Sequence, residues 1–386
     1  MNIHTGDASY IRKLNRGLIL KNIIEHGMIS RADLSKTIGL NKATISVQVA
    51  DLLEENLIYE TQQEHFSIGR RPIMLAINGK AGYVLGIDVD HQQIQFNVCD
   101  LTGRKVQGDT LLLQTDDYDE IVQLLINHIK EYEKKYSNCH FGMISAVIGI
   151  HGTVNNDESI LFVPKYNWHH KNLKVDLEKE FEKIDIYIEN NANLSSYAER
   201  VYHYHHSNNL LTIILTSGIG AGIMIDGKLH KGYHGYAGEM GHMIIVPNGY
   251  FCSCGNQGCW ELYASEPTLV SQLSKQLNKP DLTHKDVLTM IVKQNPIIED
   301  HMDQFIKYLS IGLNNIINLY NPESLILNSE LLRLYPYAIK KIQNNLTSSM
   351  SNYHELTISE LGSRACVMGA CALAIQRFLE VPELIY

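Results

Sequence analysis

Apolar positions in the first stretch of the chain recur at helical spacing. Leu14, Leu18, Ile19, Ile23 and Ile24 form one stripe, and Gly27 ends it. Ser30 is placed to cap a second helix over Arg31–Ile38, which Gly39 stops. Asn41 precedes a third helix, Lys42–Glu55, where Ile45, Val49, Leu52 and Leu53 fall at i, i+4, i+7 and i+8 and face a core. Its opposite side shows Lys42, Ala43, Thr44, Ser46 and Gln48, all short or hydrogen-bonding. Leu57–Thr61 and Ile73–Ile77 then flank a polar stretch ending Gly69-Arg70-Arg71-Pro72, which predicts two short strands around a basic tip, a wing.

From Gly82 the pattern becomes mixed. Strand-like runs are Val84–Val89, Ile94–Cys99, Ala146–Ile150, Ile186–Ile188 and Thr212–Leu215. Helical stretches fall at Tyr118–Lys135, Leu173–Glu182, Asn193–Tyr204, Asp303–Tyr320 and Arg364–Leu379. The alternation predicts an α/β body over 79–386 behind a winged helix-turn-helix over 1–78. Gly86–Asp90 and Thr216–Gly222 each follow the start of a strand, as two similar halves would have it.

Charge sharpens this picture. The whole chain of 386 residues carries −9, which speaks against a nucleic-acid binder. Residues 1–50, however, hold seven Lys and Arg against three acids, a net +4 that leaves −13 for the rest. A basic head on an acidic body suits DNA: short polar side chains on a capped helix read base edges in the major groove, and arginine favours the narrow minor groove. Arg31, Lys42, Ala43, Thr44, Ser46, Gln48, Arg70 and Arg71 are the candidate DNA contacts. A hydrophobic fraction of 45% excludes long disorder. No apolar run approaches the ~18–20 residues of a membrane span, and Met1–Tyr10 lacks a signal-peptide pattern, so the expected location is the cytoplasm.

Three of the seven cysteines crowd into Cys252–Cys259. With His242, the thiols of Cys252, Cys254 and Cys259 form the donor set that structural zinc prefers. Glu239 and Glu261 flank these ligands and are suited to accept several hydroxyls at once, as a sugar ring offers. Glycines at alternate positions in Thr216–Gly222 let backbone amides approach a phosphate or another loop. The cluster His203, His205 and His206 lacks ligand spacing and reads as a solvated helix end, and Cys99, Cys139, Cys366 and Cys371 read as buried small side chains.

Taken together, the Gly218–Gly222 loop and the His-plus-three-Cys motif resemble the ROK family, which groups bacterial sugar kinases with sugar-responsive repressors. The resemblance implies an actin-like, hexokinase-like body of two lobes, about 79–195 plus the C-terminal helix and about 196–363. It implies sugar contacts at Gly152, Asn190, Asn191, Glu239, His242 and Glu261, with Pro164, Asn167 and Trp168 near the same cleft. Family kinases place an aspartate, the general base, where this chain has Asn191, whose amide accepts no proton at physiological pH. Their first phosphate motif, Asp-x-Gly-Gly-Thr, here reads Asp88-Val89-Asp90-His91-Gln92, which puts a carboxylate where phosphate should approach. Only the regulator branch of the family carries a head of this kind, and Leu40–Glu60, Gly69–Pro72 and Cys259–Glu266 resemble its xylose-responsive members. The resemblance therefore implies a non-enzymatic repressor with double-stranded operator DNA and a monosaccharide, xylose foremost, as partners. A homodimer would match palindromic operators, with heads ~34 Å apart or a multiple. The alternative is an ATP-dependent sugar kinase with an appended head.

Overall fold

In the computed structural model, residues 8–62 and 72–386 are described; Gly69, Arg70 and Arg71 of the expected wing tip lie outside them. The chain opens with α1 (Ala8–His26), β1 (Ile29–Ser30), α2 (Arg31–Ile38), α3 (Lys42–Glu54), β2 (Ile58–Gln62) and β3 (Ile73–Ile77). The Ser30 side chain accepts the Asp33 amide and starts α2, and Gly39 ends it at φ 77°. Asn41 accepts the Thr44 amide and starts α3. Ile19, Leu20, Ile23, Leu34, Ile45, Val49 and Leu52 are fully buried. β2 and β3 pair antiparallel, Ile58 opposite Ile77, and the two-residue β1 joins the other edge of β3. Two residues carry no alternation, which is why β1 has no sequence signature.

The expected DNA contacts on α3 differ in exposure. Gln48 is only 5% exposed and lies in the buried stripe with Ile45, Val49 and Leu52, while Val47 is 58% exposed. At 100° per residue, Gln48 stands one turn beyond Ile45, inside the arc that the core covers.

The body continues through β4 (Gly82–Asp90), β5 (Gln93–Asp100), β6 (Lys105–Leu112), α4 (Tyr118–Tyr136), β7 (Gly142–Ile150), β8 (Thr153–Val154), β9 (Ile160–Val163), β10 (Trp168–Lys171), α5 (Leu173–Glu178) and β11 (Asp185–Asn190). It then runs α6 (Asn191–Tyr202), β12 (Leu210–Ile214), β13 (Gly220–Ile225), β14 (Lys228–Leu229), α7 (Glu261–Ala264), α8 (Glu266–Leu277), α9 (His284–Val292) and α10 (Pro296–Tyr320). The last elements are β15 (Ser324–Asn328), α11 (Glu330–Leu334), α12 (Ala338–Asn345), β16 (Glu355–Ile358) and α13 (Ala365–Leu379). Pro296 starts α10 seven residues ahead of the expected Asp303, because Asn295 caps it and proline suits the first turn. α6 likewise starts early, at Asn191, on the cap supplied by Asn190.

Contacts divide the chain into two compact units. One holds Met1–Ile150, Glu158–Glu189 and Val367–Tyr386; the other holds His151–Asp157 and Asn190–Cys366. The first is built on a sheet of order β11-β7-β4-β5-β6, with β4 antiparallel to β5 and parallel to β7. α13 lies hard against β4: a Cβ at Gly86 would sit 2.3 Å from the Val367 carbonyl oxygen and 2.9 Å from Cys371 Sγ. The second has the order β14-β13-β12-β15-β16, with β15 parallel to both neighbours. Its core joins Ile213 of β12 and Leu325 of β15 to Phe305, Leu309 and Leu313 of α10 and to the fully buried Trp260. Trp260 lies over Gly312, where a Cβ would meet the indole at 2.0 Å, and its Nε1 donates to the Tyr308 carbonyl at 3.1 Å.

Candidate functional site

All six expected sugar contacts fall in the second unit. Asn190 caps α6, its side-chain oxygen accepting the amides of Ala192 at 2.8 Å and Asn193 at 3.1 Å. Its Nδ2 donates to the Gly152 carbonyl at 2.9 Å, which pins the loop after β7 to the start of α6. Asn191, the first residue of α6, is 9% exposed, and its Nδ2 lies 3.4 Å from His151 Nδ1. The same imidazole nitrogen is 3.1 Å from Ser217 Oγ, at the head of the glycine loop. His151 and Ser217 thus join the site although neither stands out in the sequence. A single histidine 66 positions from its partner leaves no local pattern.

The two carboxylates lie near enough to act on each other. Glu261 opens α7 and its Oε2 faces the Ile219 amide at 3.4 Å, lying 2.9 Å from where a Gly218 Cβ would stand. An anion therefore already occupies the amide surface of the glycine loop, which disfavours a second one there. Glu239 precedes a short turn, Met240–His242. Burial pushes its carboxyl above the ordinary range, with Glu261 adding to the effect and His242 and the Thr153 hydroxyl opposing it. Even so, 43% of the Glu239 side chain is accessible, the condition of a group crowded by protein yet reachable by a ligand.

His242, Cys252, Cys254 and Cys259 bring one donor atom each within 4.8 Å of one another, the one such group that could hold a metal among the described residues. Cys252 Sγ is 3.6 Å from His242 Nδ1, and Cys254 Sγ is 3.6 Å from Cys259 Sγ. Gly258 makes the wrap possible, since at φ 84° a Cβ would stand 1.8 Å from the Val246 carbonyl oxygen. Burial, then the Cys254 and Cys252 thiols, push the Cys259 thiol up to about 12. Thiols this close share protons unequally, and a divalent cation in their place favours every thiolate, so the donor set fits a tetrahedral metal. The histidines at 203, 205 and 206 are exposed and form no comparable group among the described residues. Of the four remaining cysteines, Cys99, Cys366 and Cys371 are buried and Cys139 is half-buried.

The first glycine-poor loop, in the other unit, is closed on itself. Asp90 Oδ1 accepts the His91 amide at 2.7 Å and lies 2.7 Å from His91 Nδ1. The amide a phosphate would require is already bonded to a carboxylate.

On the head, Lys42, Ala43, Ser46 and Val47 are exposed and Thr44 is half-buried. The Ser46 hydroxyl donates back to the Lys42 carbonyl at 2.8 Å. Arg12, Ala43, Thr44, Val47 and Gln48 line an open hollow of about 380 Å³ along α3. Arg31 pairs with Glu60 at 2.7 Å and so ties α2 to β2. Arg12, Lys13, Arg16, Lys21 and Lys36 also hold carboxylate partners. Lys42 is the one lysine or arginine of residues 8–50 without an ion pair among the described residues.

Residues 84–377 match the model of the ROK family. The xylose repressor of Bacillus spizizenii is 35% identical over 98% of this chain and 99% of its own length. A glucokinase of Streptomyces coelicolor is 25% identical over 76% of this chain and 98% of its own. Among solved structures, a ROK family transcriptional regulator described as a homolog of the E. coli MLC protein superposes with a TM-score of 0.82, at 27% identity over 96% of this chain and 97% of its own. A ROK glucokinase from Streptomyces griseus in complex with glucose and AMPPNP gives 0.68 at 24% identity, over 76% of this chain and all of its own. The chain has the α/β, actin-like two-lobed fold behind an N-terminal helical region, and it belongs to the ROK family as a transcriptional regulator akin to the xylose repressors.

Proposed function

We propose that this protein is a sugar-responsive repressor of xylose-utilisation genes, released from its operator when a monosaccharide, xylose foremost, binds in the second unit. The observation that carries the reading is Asn191. A sugar site framed by Asn190, Gly152, Glu239, His242 and Glu261 has an amide where phosphoryl transfer needs a base, and its glycine loop already faces the Glu261 carboxylate. Recognition without turnover is what such a site supports. Zinc at His242, Cys252, Cys254 and Cys259 would fix the spacing of Glu239 and Glu261. Arg31, Lys42, Ala43, Thr44, Ser46 and Gln48, with Arg70 and Arg71, are the proposed DNA contacts, Val47 lies exposed among them on α3, and Arg31 also pairs with Glu60. A homodimer would bring two heads to a palindromic operator.

The test selects bound sequences from a random duplex library and then measures operator affinity with a panel of monosaccharides. Xylose is expected to weaken binding by about tenfold or more. A panel in which every sugar leaves the affinity unchanged refutes the sensor. ATP consumption in the presence of any of these sugars would instead favour the kinase.

A further inference from the structure

The last seven residues do more than end α13. Beyond Leu379 the chain turns back on Glu380, at φ 52°, and runs along the head helix α1. A Cβ at Gly17 would stand 2.7 Å from the Glu380 carbonyl oxygen and 3.5 Å from Pro382 Cδ, so the tail lies directly on the α1 backbone. One turn to either side, Lys13 pairs with Glu380 at 2.6 Å and Lys21 with Glu383 at 2.8 Å. Positions 13, 17 and 21 share one helix face. Val381 and Leu384 are buried, 4% and 2% exposed. Backbone contact, apolar burial and two ion pairs coincide on one seven-residue segment.

The other end of α13 leads back toward the sugar site. The chain passes from the second unit to the first at Cys366–Val367, within the first turn of α13. Just before it, the Gly362 amide donates to Ser359 Oγ at 3.0 Å, and the Ser359 hydroxyl donates to the buried carboxylate of Glu199. Glu199 stands on α6, the helix whose first turn Asn190 caps. Each link is a direct contact or a covalent step: α6, Ser359, α13, tail, α1.

We infer that the Glu380–Tyr386 tail is a clasp that couples the effector unit to the DNA-binding head, with α13 as the lever between them. The inference rests on the sugar-responsive function proposed for the second unit. A displacement of α6 on sugar binding would reach α1 through the Ser359 hydrogen bonds within the second unit, the covalent passage at Cys366–Val367 and the tail contacts within the first. The clasp predicts that weakening the tail separates the two halves of the response: sugar still binds, but the head no longer answers.

The experiment uses the full chain and the selected operator, and reads the ratio of operator Kd with saturating xylose to that without. The double variant E380K/E383K is expected to lower this ratio at least about tenfold or to near one, while xylose affinity without DNA stays within about twofold. Adding K13E/K21E restores opposite charges across the clasp and is expected to recover at least about half of the lost response. Gly17→Val, which pushes the tail from α1 without altering charge, is expected to lower the ratio as well. An unchanged ratio in E380K/E383K and Gly17→Val, a parallel loss of xylose affinity, or no recovery on charge exchange overturns the clasp. A wild-type protein that ignores every sugar instead removes the sensor function, and the coupling with it.

Discussion

The side-chain amide of Asn190 donates to the backbone carbonyl of Gly152 at 2.9 Å. One residue thereby serves two ends, because its oxygen is committed to the first amides of α6 while its nitrogen holds the loop after β7. The two roles can be separated. Asn190→Asp keeps an acceptor for the cap and loses the donor, so stability is expected to stay within about 0.5 kcal/mol while sugar affinity falls about tenfold. Asn190→Ala loses both and should cost roughly 1 kcal/mol more of unfolding free energy. Urea denaturation and calorimetric titration measure the two quantities independently.

Gly218 and Gly222 answer to different neighbours. A Cβ at Gly222 would stand 2.2 Å from the Ala192 carbonyl oxygen and 2.3 Å from Ser196 Cβ, where α6 crosses β13. Gly222→Ala is expected to destabilise the protein by about 1–3 kcal/mol through overpacking. At Gly218 the nearest atom is the flexible end of Glu261, so Gly218→Ala should leave stability nearly unchanged and act on ligand affinity alone. Thermal melts of the two variants distinguish the cases.

Glu199 makes stability depend on pH. Burial raises its carboxyl from the usual 4.5 to about 7, and its Oε2 has no hydrogen-bond partner among the described residues. Between those values the folded protein binds a proton that the unfolded chain has lost, so stability falls as pH rises. The full effect of this one group is on the order of 3 kcal/mol across the interval. Glu199→Gln keeps a partner for Ser359 and should flatten the fall between pH 4.5 and about 7. Denaturation midpoints at several pH values, wild type against variant, give the check; equal slopes would refute it.

Metal removal should loosen the loop between Glu239 and Glu261. A strong chelator is expected to lower the Tm of wild type by about 5–10 °C, equivalent to a few kcal/mol in a unit of this size. Cys254→Ser should show the lower Tm from the outset and respond little to chelator. Metal content by atomic absorption, read beside the melts, ties the change to the ion. An equal chelator response in both proteins would argue for a general effect of the reagent.

Local signals are the legible ones. Ser30, Gly39 and Asn41 act on backbone groups within three or four residues, and the helices they bound lie where the sequence places them. The His242, Cys252, Cys254 and Cys259 cluster is legible because its thiols are close in sequence. The depth of Gln48 is not legible, because a stripe is an arc and the residue at its edge is largely covered by geometry whatever its chemistry. His151 and Glu199 are illegible for a different reason. Each acquires its role only through a partner far along the chain, Ser217 in one case and Ser359 in the other.

The ion pairs of the head bear on how it finds its site. Six cations between Arg12 and Lys36 already have carboxylates beside them, and within residues 8–50 only Lys42 has none among the described residues. Binding to arbitrary duplex is driven by counterions released when free cations meet phosphates. A surface whose cations are matched in advance releases few. It should therefore pass over most of the chromosome with little delay and settle where shape and base edges agree with α3, leaving a binding curve that depends on ionic strength only shallowly.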